Sequence, residues 1–404
     1  MAQLTRLELR ENGNVLRNYS FSALYTLSFD SNTASKAKSK FSTTTIYLGL
    51  YDGSKSLPMH RFLERGIFQQ SVNFEFRCHN ASKQSALLER ILAKGFDKED
   101  NCVFSLFVDS NAMSPSIEIV PKRKLEPGKT LEIFNPIAEL PLEYVFEHID
   151  FTLRLLSEDA SNSEAQISIK PTIYEQKTLL DLPFKGTCLI SDGHDFLAHH
   201  RRIPLMNTYV EKMGITANSV RFAYDFMLAD RSGNVFKGDG SRLEDFYGWS
   251  KPVLSPGDGR VVSAAHDKAD NPVGKPFPPI APEQYERLRM QAFERLEKGG
   301  MEELHGNHVI IDHGNGEFSL IDHMQKDSVR VNVGDEVTRG AALGRIGNSG
   351  DSGTPHIHYG LQNGKDTLEA EGLPSRFRRF ELLLGTTVRR IENLCPNTGM
   401  IIKH

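Results

Sequence analysis

The stretch SGTPHIHYGLQ, residues 352–362, decides how this chain is read. After a Gly/Ser/Pro turn it alternates apolar and polar residues, and successive side chains of a strand point to opposite faces. Ile357, Tyr359 and Leu361 then share one face and pack into a core, while His356, His358, Gly360 and Gln362 share the other. Two imidazoles side by side on an open sheet face suit a metal ligand and a proton-transfer partner. On its own a His-x-His pair is a weak signal in a chain with 14 histidines among 404 residues. The segments around it carry the weight.

Working outward, the length predicts two or three domains, and 39% hydrophobic with 25% charged residues is the balance of a globular protein. A net charge of −4 and no basic tract argue against a nucleic-acid binder. The opening MAQLTRLELRENGNVLRNYS has no apolar core of signal-peptide type, and no run of 18 apolar residues occurs. The expectation is therefore no visible secretion signal or integral membrane segment, with a cytoplasmic location by default or export by a signal-independent route. Cys78, Cys102, Cys188 and Cys395 show no C-x-x-C spacing and are expected to be buried free thiols. A bound metal would then depend on histidines and carboxylates.

Residues 1–180 have the texture of an N-terminal β-sandwich-like domain of unknown role. TTTIYLGLY, SVNFEFRC, CVFSLFVD, SIEIV, TLEIF, IDFTLRLL and AQISIKPTIY are short β-branched or aromatic runs between polar turns. One helix is expected among them, SALLERILAKGFD, with Leu88, Ile91 and Leu92 at helical spacing and Gly95 as its stop. His60, His79 and His148 read as structural or surface residues. Near 180 the composition shifts, and ten of the 14 histidines fall between His194 and His358. Short strands with PGDG and GNG hairpin punctuation follow over 181–367. An insertion at 267–305 holds a Pro-rich loop and a helix, EQYERLRMQAFERLEKGG, with a packing stripe of Tyr285, Leu288, Ala292 and Leu296. Residues 368–404 read as an extension packed on the second domain.

The segment GNHVIIDHGNGEFSLIDHMQKDSVRVNVGDEVTRGAALGRIGNSGDSGTPHIHYGLQ closely resembles the core of the lysostaphin/LytM-type zinc metallopeptidases. Looser likeness reaches back to about residue 182. The resemblance implies a mainly β fold with an antiparallel, grooved sheet, and endopeptidase cleavage of peptide cross-links in peptidoglycan with one Zn2+ ion. It implies His358 and Asp225, in RFAYDFML, as metal ligands, with His356 and His323 as catalytic partners. The family places its first ligand His four residues before the Asp, where Arg221 stands here, and arginine stays protonated. The likeness then points to GHDFLAHHRR: His200 is the choice, His199 is next and His194 ranks behind.

Two His and one carboxylate leave a fourth tetrahedral position open, the mark of a catalytic rather than structural zinc site. Zinc lowers the pKa of water toward about 7 and polarises a carbonyl. No H-E-x-x-H helix supplies a glutamate base, so the proton and the oxyanion fall to His356 and His323, in an order the sequence leaves open. His308 and His313 read as structural or groove-edge residues, His266 and His305 as loop surface. Asp312 and Asp322 read as turn residues or as supports for an imidazole, Tyr224 and Tyr359 as core or groove wall, and Gly347, Gly350 and Gly353 as turn residues. The rival reading is a non-catalytic LytM-like binding or regulatory module. A lipoyl-type carrier hairpin is set aside because Arg339 and Gly340, not Lys, occupy the tip.

Overall fold

A computed structural model describes residues 6–11, 14–20, 70–72, 74–141, 143–171, 174–195, 198–205, 210, 212–274, 294 and 297–404. The run TTTIYLGLY, His60, and most of the expected helix after Pro282 with its stripe lie outside these. Residues 1–70 with 141–143 and residues 71–140 with 144–404 form two compact units. In the first, Arg6–Glu11 and Asn14–Ser20 pair antiparallel.

The second unit is mainly β. Strands β1 (Glu75–His79), β2 (Ala86–Phe96), β3 (Cys102–Asp109), β4 (Thr130–Phe134), β5 (His148–Ser157) and β6 (Asn162–Ile169) come first in the chain. In one sheet the order is β6-β5-β2-β3, and β1 pairs with β4 separately. Their core buries Leu88, Ile91, Ile117, Ile133, Ile149 and Phe151, each at most 1% exposed. SIEIV is not a strand, since Ser116–Ile119 closes one 3-10 turn after Pro115.

The helix expected at SALLERILAKGFD is strand β2. Arg90 pairs with Arg154 and Leu88 with Leu155, so Glu89 is an extra, bulged residue. Ala86 and Leu88 are buried before the bulge, Ile91 and Ala93 after it. The bulge puts Leu88 and Ile91, three apart, on one face and so imitates helical spacing. Gly95 does not stop a helix: the Phe104 ring lies where a Cβ would stand.

A larger, eleven-stranded sheet follows, all of whose pairings are antiparallel. Its strands include β7 (Thr187–Asp192), β8 (Tyr224–Leu228), β9 (Gly259–Ala265), β10 (Asn307–Asp312), β11 (Phe318–Met324), β12 (Ile357–Gln362), β13 (Phe377–Leu384), β14 (Thr387–Leu394) and β15 (Ile401–Lys403). Across the sheet they run β9-β10-β11-β12-β8-β7-β15-β13-β14. The C-terminal residues therefore extend the sheet edge to edge rather than packing on it, because β15 pairs with β7. At the centre Tyr224, Phe226, Ile357, Tyr359 and Leu361 are each at most 1% exposed, and Phe377 packs on Tyr224, Phe226 and Tyr359. Tyr224 and Tyr359 are thus core residues.

Two expectations about exposure change. Cys188 is buried, but Cys102 is exposed and Cys78 and Cys395 are intermediate, all four as free thiols. His305 is not on the surface. It ends a one-turn helix, Met301–His305, and is 6% exposed.

Candidate metal centre

The site grows from the register of three central strands. Asp225 on β8 and Asp322 on β11 both pair directly with His358 on β12. Directly paired residues share a face, so two carboxylates flank one imidazole on the side opposite the Ile357, Tyr359 and Leu361 core. All six residues of β12 are buried.

His200 comes from elsewhere, a 3-10 turn at His200–Arg202. Asp192 fixes that turn by accepting the backbone N–H of His199 at 2.8 Å and of His200 at 3.1 Å. Its Oδ2 also lies 2.7 Å from His200 Nδ1. An irregular register between Ile190 and Asp192 brings Asp192 level with Asp225. Asn218 adds a bond from its amide to the His200 carbonyl, 2.9 Å. His200 Nε2 is thereby turned toward Asp225 Oδ1, 3.9 Å away, and the rings of His200 and His358 stand 4.7 Å apart.

The same Asp225 oxygen meets His358 Nδ1 at 3.1 Å and His356 Nε2 at 3.3 Å. His200, Asp225 and His358 offer ligand atoms that all lie within 4.8 Å of one another. A tetrahedral cation with bonds of about 2.1 Å needs donors about 3.4 Å apart, which the 3.1 and 3.9 Å separations bracket. The donor set, two imidazoles and a carboxylate, suits zinc. His199 also approaches Asp192, Nδ1 at 3.3 Å, and forms a second possible ligand group with Asp192 and His200, but its side chain is 66% exposed and it is not in the group that contains Asp225 and His358. His194 is occupied differently: its Nε2–H donates to the Phe222 carbonyl and its ring stacks on Tyr224.

His323 reaches the site by breaking strand alternation. It follows Asp322 directly, so regular pleating would aim it at the opposite face. Its φ of 61° turns it back, and its ring lies 4.9 Å from that of His356 and 5.6 Å from that of His358. A non-glycine residue in the left-handed region costs on the order of 1 kcal/mol, and such strain collects at functional sites. Gly347 N–H caps the His323 carbonyl, and Gln325 backbone lies where a Gly347 side chain would begin.

The electrostatics separate the histidines. Burial pushes the Asp225 carboxyl up, but the imidazoles around it, His200 and His356 foremost, hold it well below the usual carboxylate range. Asp192 is likewise held low, its bonds to His199 and His200 outweighing burial. Burial lowers His200. Burial and the neighbouring His356 bring His323 down to about 3. Burial also opposes charge on His356, but Asp225 overrides it and raises that ring. His356 Nδ1 lies 2.7 Å from the Thr354 carbonyl and His323 Nδ1 2.9 Å from the Ser349 carbonyl. Carbonyls only accept, so both Nδ1 atoms carry the proton and both Nε2 atoms, when neutral, present lone pairs.

The remaining polar residues have structural partners. His308 bonds Ser263 and the Gly306 carbonyl; His313 bonds Ser319 and the Asp258 carbonyl. Arg221 is nearly buried and pairs with Glu371 and, at 2.9 Å, with Glu75. Asp192 was missed in the sequence because the His199–His200 pair begins seven residues after it, beyond the range of local side-chain capping patterns. The partnership of His305 with Asp322, Nδ1 to Oδ2 at 2.7 Å, left no mark in spacing.

Residues 295–370 match the model for peptidase family M23. Over 56 residues the chain is 41% identical to the peptidoglycan DD-endopeptidase ShyA of Vibrio cholerae, covering 14% of this chain and 13% of that protein. The match thus spans about an eighth of the curated relative's length. Similar solved structures include the catalytic domain of the prophage-encoded M23 protein EnpA from Enterococcus faecalis, at 16% identity over 48% of this chain and 94% of that one, TM-score 0.26. The catalytic domain of lysostaphin from Staphylococcus simulans is 18% identical over 37% of this chain and 73% of that one, TM-score 0.21.

Proposed function

We propose, from the premise that residues 295–370 carry a family M23 peptidase core, that this chain is a zinc-dependent endopeptidase acting on peptide bonds of peptidoglycan cross-links. His200, Asp225 and His358 hold the metal in this reading. The observation that carries it is the convergence of His200 Nε2 and His358 Nδ1 on one buried, ionised carboxylate oxygen. Zinc, when bound there, supplies a Lewis acid that acidifies water and polarises the scissile carbonyl.

The chain's own groups do the rest. His356 Nε2, beside Asp225, takes the proton from the attacking water, and Asp225 stabilises the imidazolium that results. His356 Nδ1–H stays on the Thr354 carbonyl, so the ring keeps its orientation through the transfer. His323 is neutral, its ring stands 4.9 Å from that of His356, and its Nε2 lone pair accepts a hydrogen bond from substrate or water. The Ser349 carbonyl holds that ring's tautomer.

The test is zinc content of the purified chain beside His358→Ala, with digestion of whole peptidoglycan as the second readout. Joint loss of zinc and of released peptide is the expected result. Equal trace metal in both proteins would refute the enzyme and leave a binding module.

A further inference from the structure

Behind His358 lies a buried chain of polar groups that the reaction does not use. Thr367 Oγ1 stands 3.0 Å from His305 Nε2, and His305 Nδ1 stands 2.7 Å from Asp322 Oδ2. The chemistry gives this chain a direction. An imidazole nitrogen 2.7 Å from a carboxylate oxygen is the donor of that pair. His305 Nδ1 therefore carries the proton and donates to Asp322, and its Nε2 accepts from the Thr367 hydroxyl. His305, Asp322 and Thr367 are all at most 6% exposed.

Two atoms at the end of this chain are left over. Asp322 Oδ1 and His358 Nε2 are both buried without a hydrogen-bond partner among the described residues. They sit on residues that pair directly across β11 and β12. One is an acceptor. The other is a donor whenever His358 offers Nδ1 to a cation, because the ring proton then resides on Nε2. Each of these atoms lacks what the other offers, on residues that face each other across neighbouring strands.

We propose that Asp322, clamped by His305 and Thr367, is a positioning residue that receives His358 Nε2–H and so fixes the tautomer and aim of Nδ1 toward the metal. The inference rests on the metal reading given above. It also gives the Met301–His305 turn a purpose: the turn delivers the imidazole that locks the carboxylate. On the other side Asp192 Oδ2 stands 2.7 Å from His200 Nδ1, so a buried carboxylate lies beside each of the two imidazoles.

The experiment is zinc affinity by chelator competition on the full chain, for wild type, Asp322→Ala, Asp322→Asn, His358→Ala and the Asp322→Ala/His358→Ala double variant. Asp322→Ala should weaken zinc roughly 10- to 100-fold, the usual cost of losing such a partner. Asp322→Asn keeps an acceptor oxygen and should recover part of that loss. In the His358→Ala background the Asp322→Ala change should have no further effect. Long-range 1H–15N spectra of the zinc-loaded wild type should place the His358 proton on Nε2. Unchanged affinity in Asp322→Ala, an equal loss in both backgrounds, or a proton on Nδ1 would overturn the proposal. Matched circular dichroism of Asp322→Asn and wild type guards against misfolding. A wild-type chain that holds no zinc would instead sink the metal reading and this inference with it.

Discussion

Strand β2, Ala86–Phe96, buries one face and strand β12, Ile357–Gln362, buries both, and they bury opposite chemistry. On β2 the buried side chains are Ala86, Leu88, Ile91 and Ala93, and their neighbours are other apolar groups. On β12 one face does the same, but the other carries His358 and Gln362, 5% and 0% exposed. A buried apolar face needs only shape from its surroundings. A buried imidazole needs a specific atom at a specific distance, and for His358 that atom is Asp225 Oδ1 on β8, 3.1 Å from its Nδ1. The difference teaches that one region tolerates approximate packing, while the other is held by a few exact pairings distributed over the chain.

Four outcomes sharpen or break that contrast. The largest is Asp225→Ala, which removes the carboxylate on which three imidazole nitrogens converge within 3.9 Å. Zinc retention through a desalting step, and with it peptidoglycan digestion, should vanish; a variant that keeps both would end the contrast. Next is Arg221→Ala. Arg221 binds Glu75 and Glu371, and its loss strands a mostly buried Glu75 carboxylate. Chemical denaturation should show a loss of about 3 kcal/mol, the low end for a broken buried pair because Glu371 is partly exposed.

Ile91→Ala comes third, in the apolar region. Cavity formation should cost about 2–4 kcal/mol of unfolding free energy. Zinc affinity should not change, and a shift beyond a factor of two would show that the two regions are coupled. The smallest effect is a pH slope. Burial lowers His194 to about 3 in the folded chain, against an ordinary value near 6.5. The unfolded state therefore binds the proton first as pH falls, and stability is lost from about pH 6.5 downward. His194→Phe cannot titrate, so between pH 7 and pH 5 it should lose less stability than wild type, by up to about 2 kcal/mol. Parallel slopes for the two proteins would show that His194 is not held neutral.

Much of the site was visible before the fold. Strand alternation alone set Ile357, Tyr359 and Leu361 against His356 and His358, and Asp225, His323 and His358 stand on runs whose strand character the structure repeats. The departure at Arg221 was also visible, and the structure gives that side chain two glutamates instead of a metal. Less was visible where backbone irregularity intervenes. The Glu89 bulge made a strand count like a helix, and the left-handed turn at His323 put two consecutive residues on one side of a strand. A periodic reading fails at such points because it assumes one residue per step.

The residue types, the alternation of β12 and the poverty of cysteine determined by themselves that this chain is mainly β and that any metal it holds must rest on imidazole and carboxylate. Only the tertiary structure chose His200 over His199 to face Asp225, drew His305 from the surface to Asp322, and set Asp192 behind His200. The physical reason is reach. Local propensity acts over a few residues, whereas Asp192, Asp225 and Asp322 find their imidazoles through strand register and turn geometry that exist only once the sheet has closed.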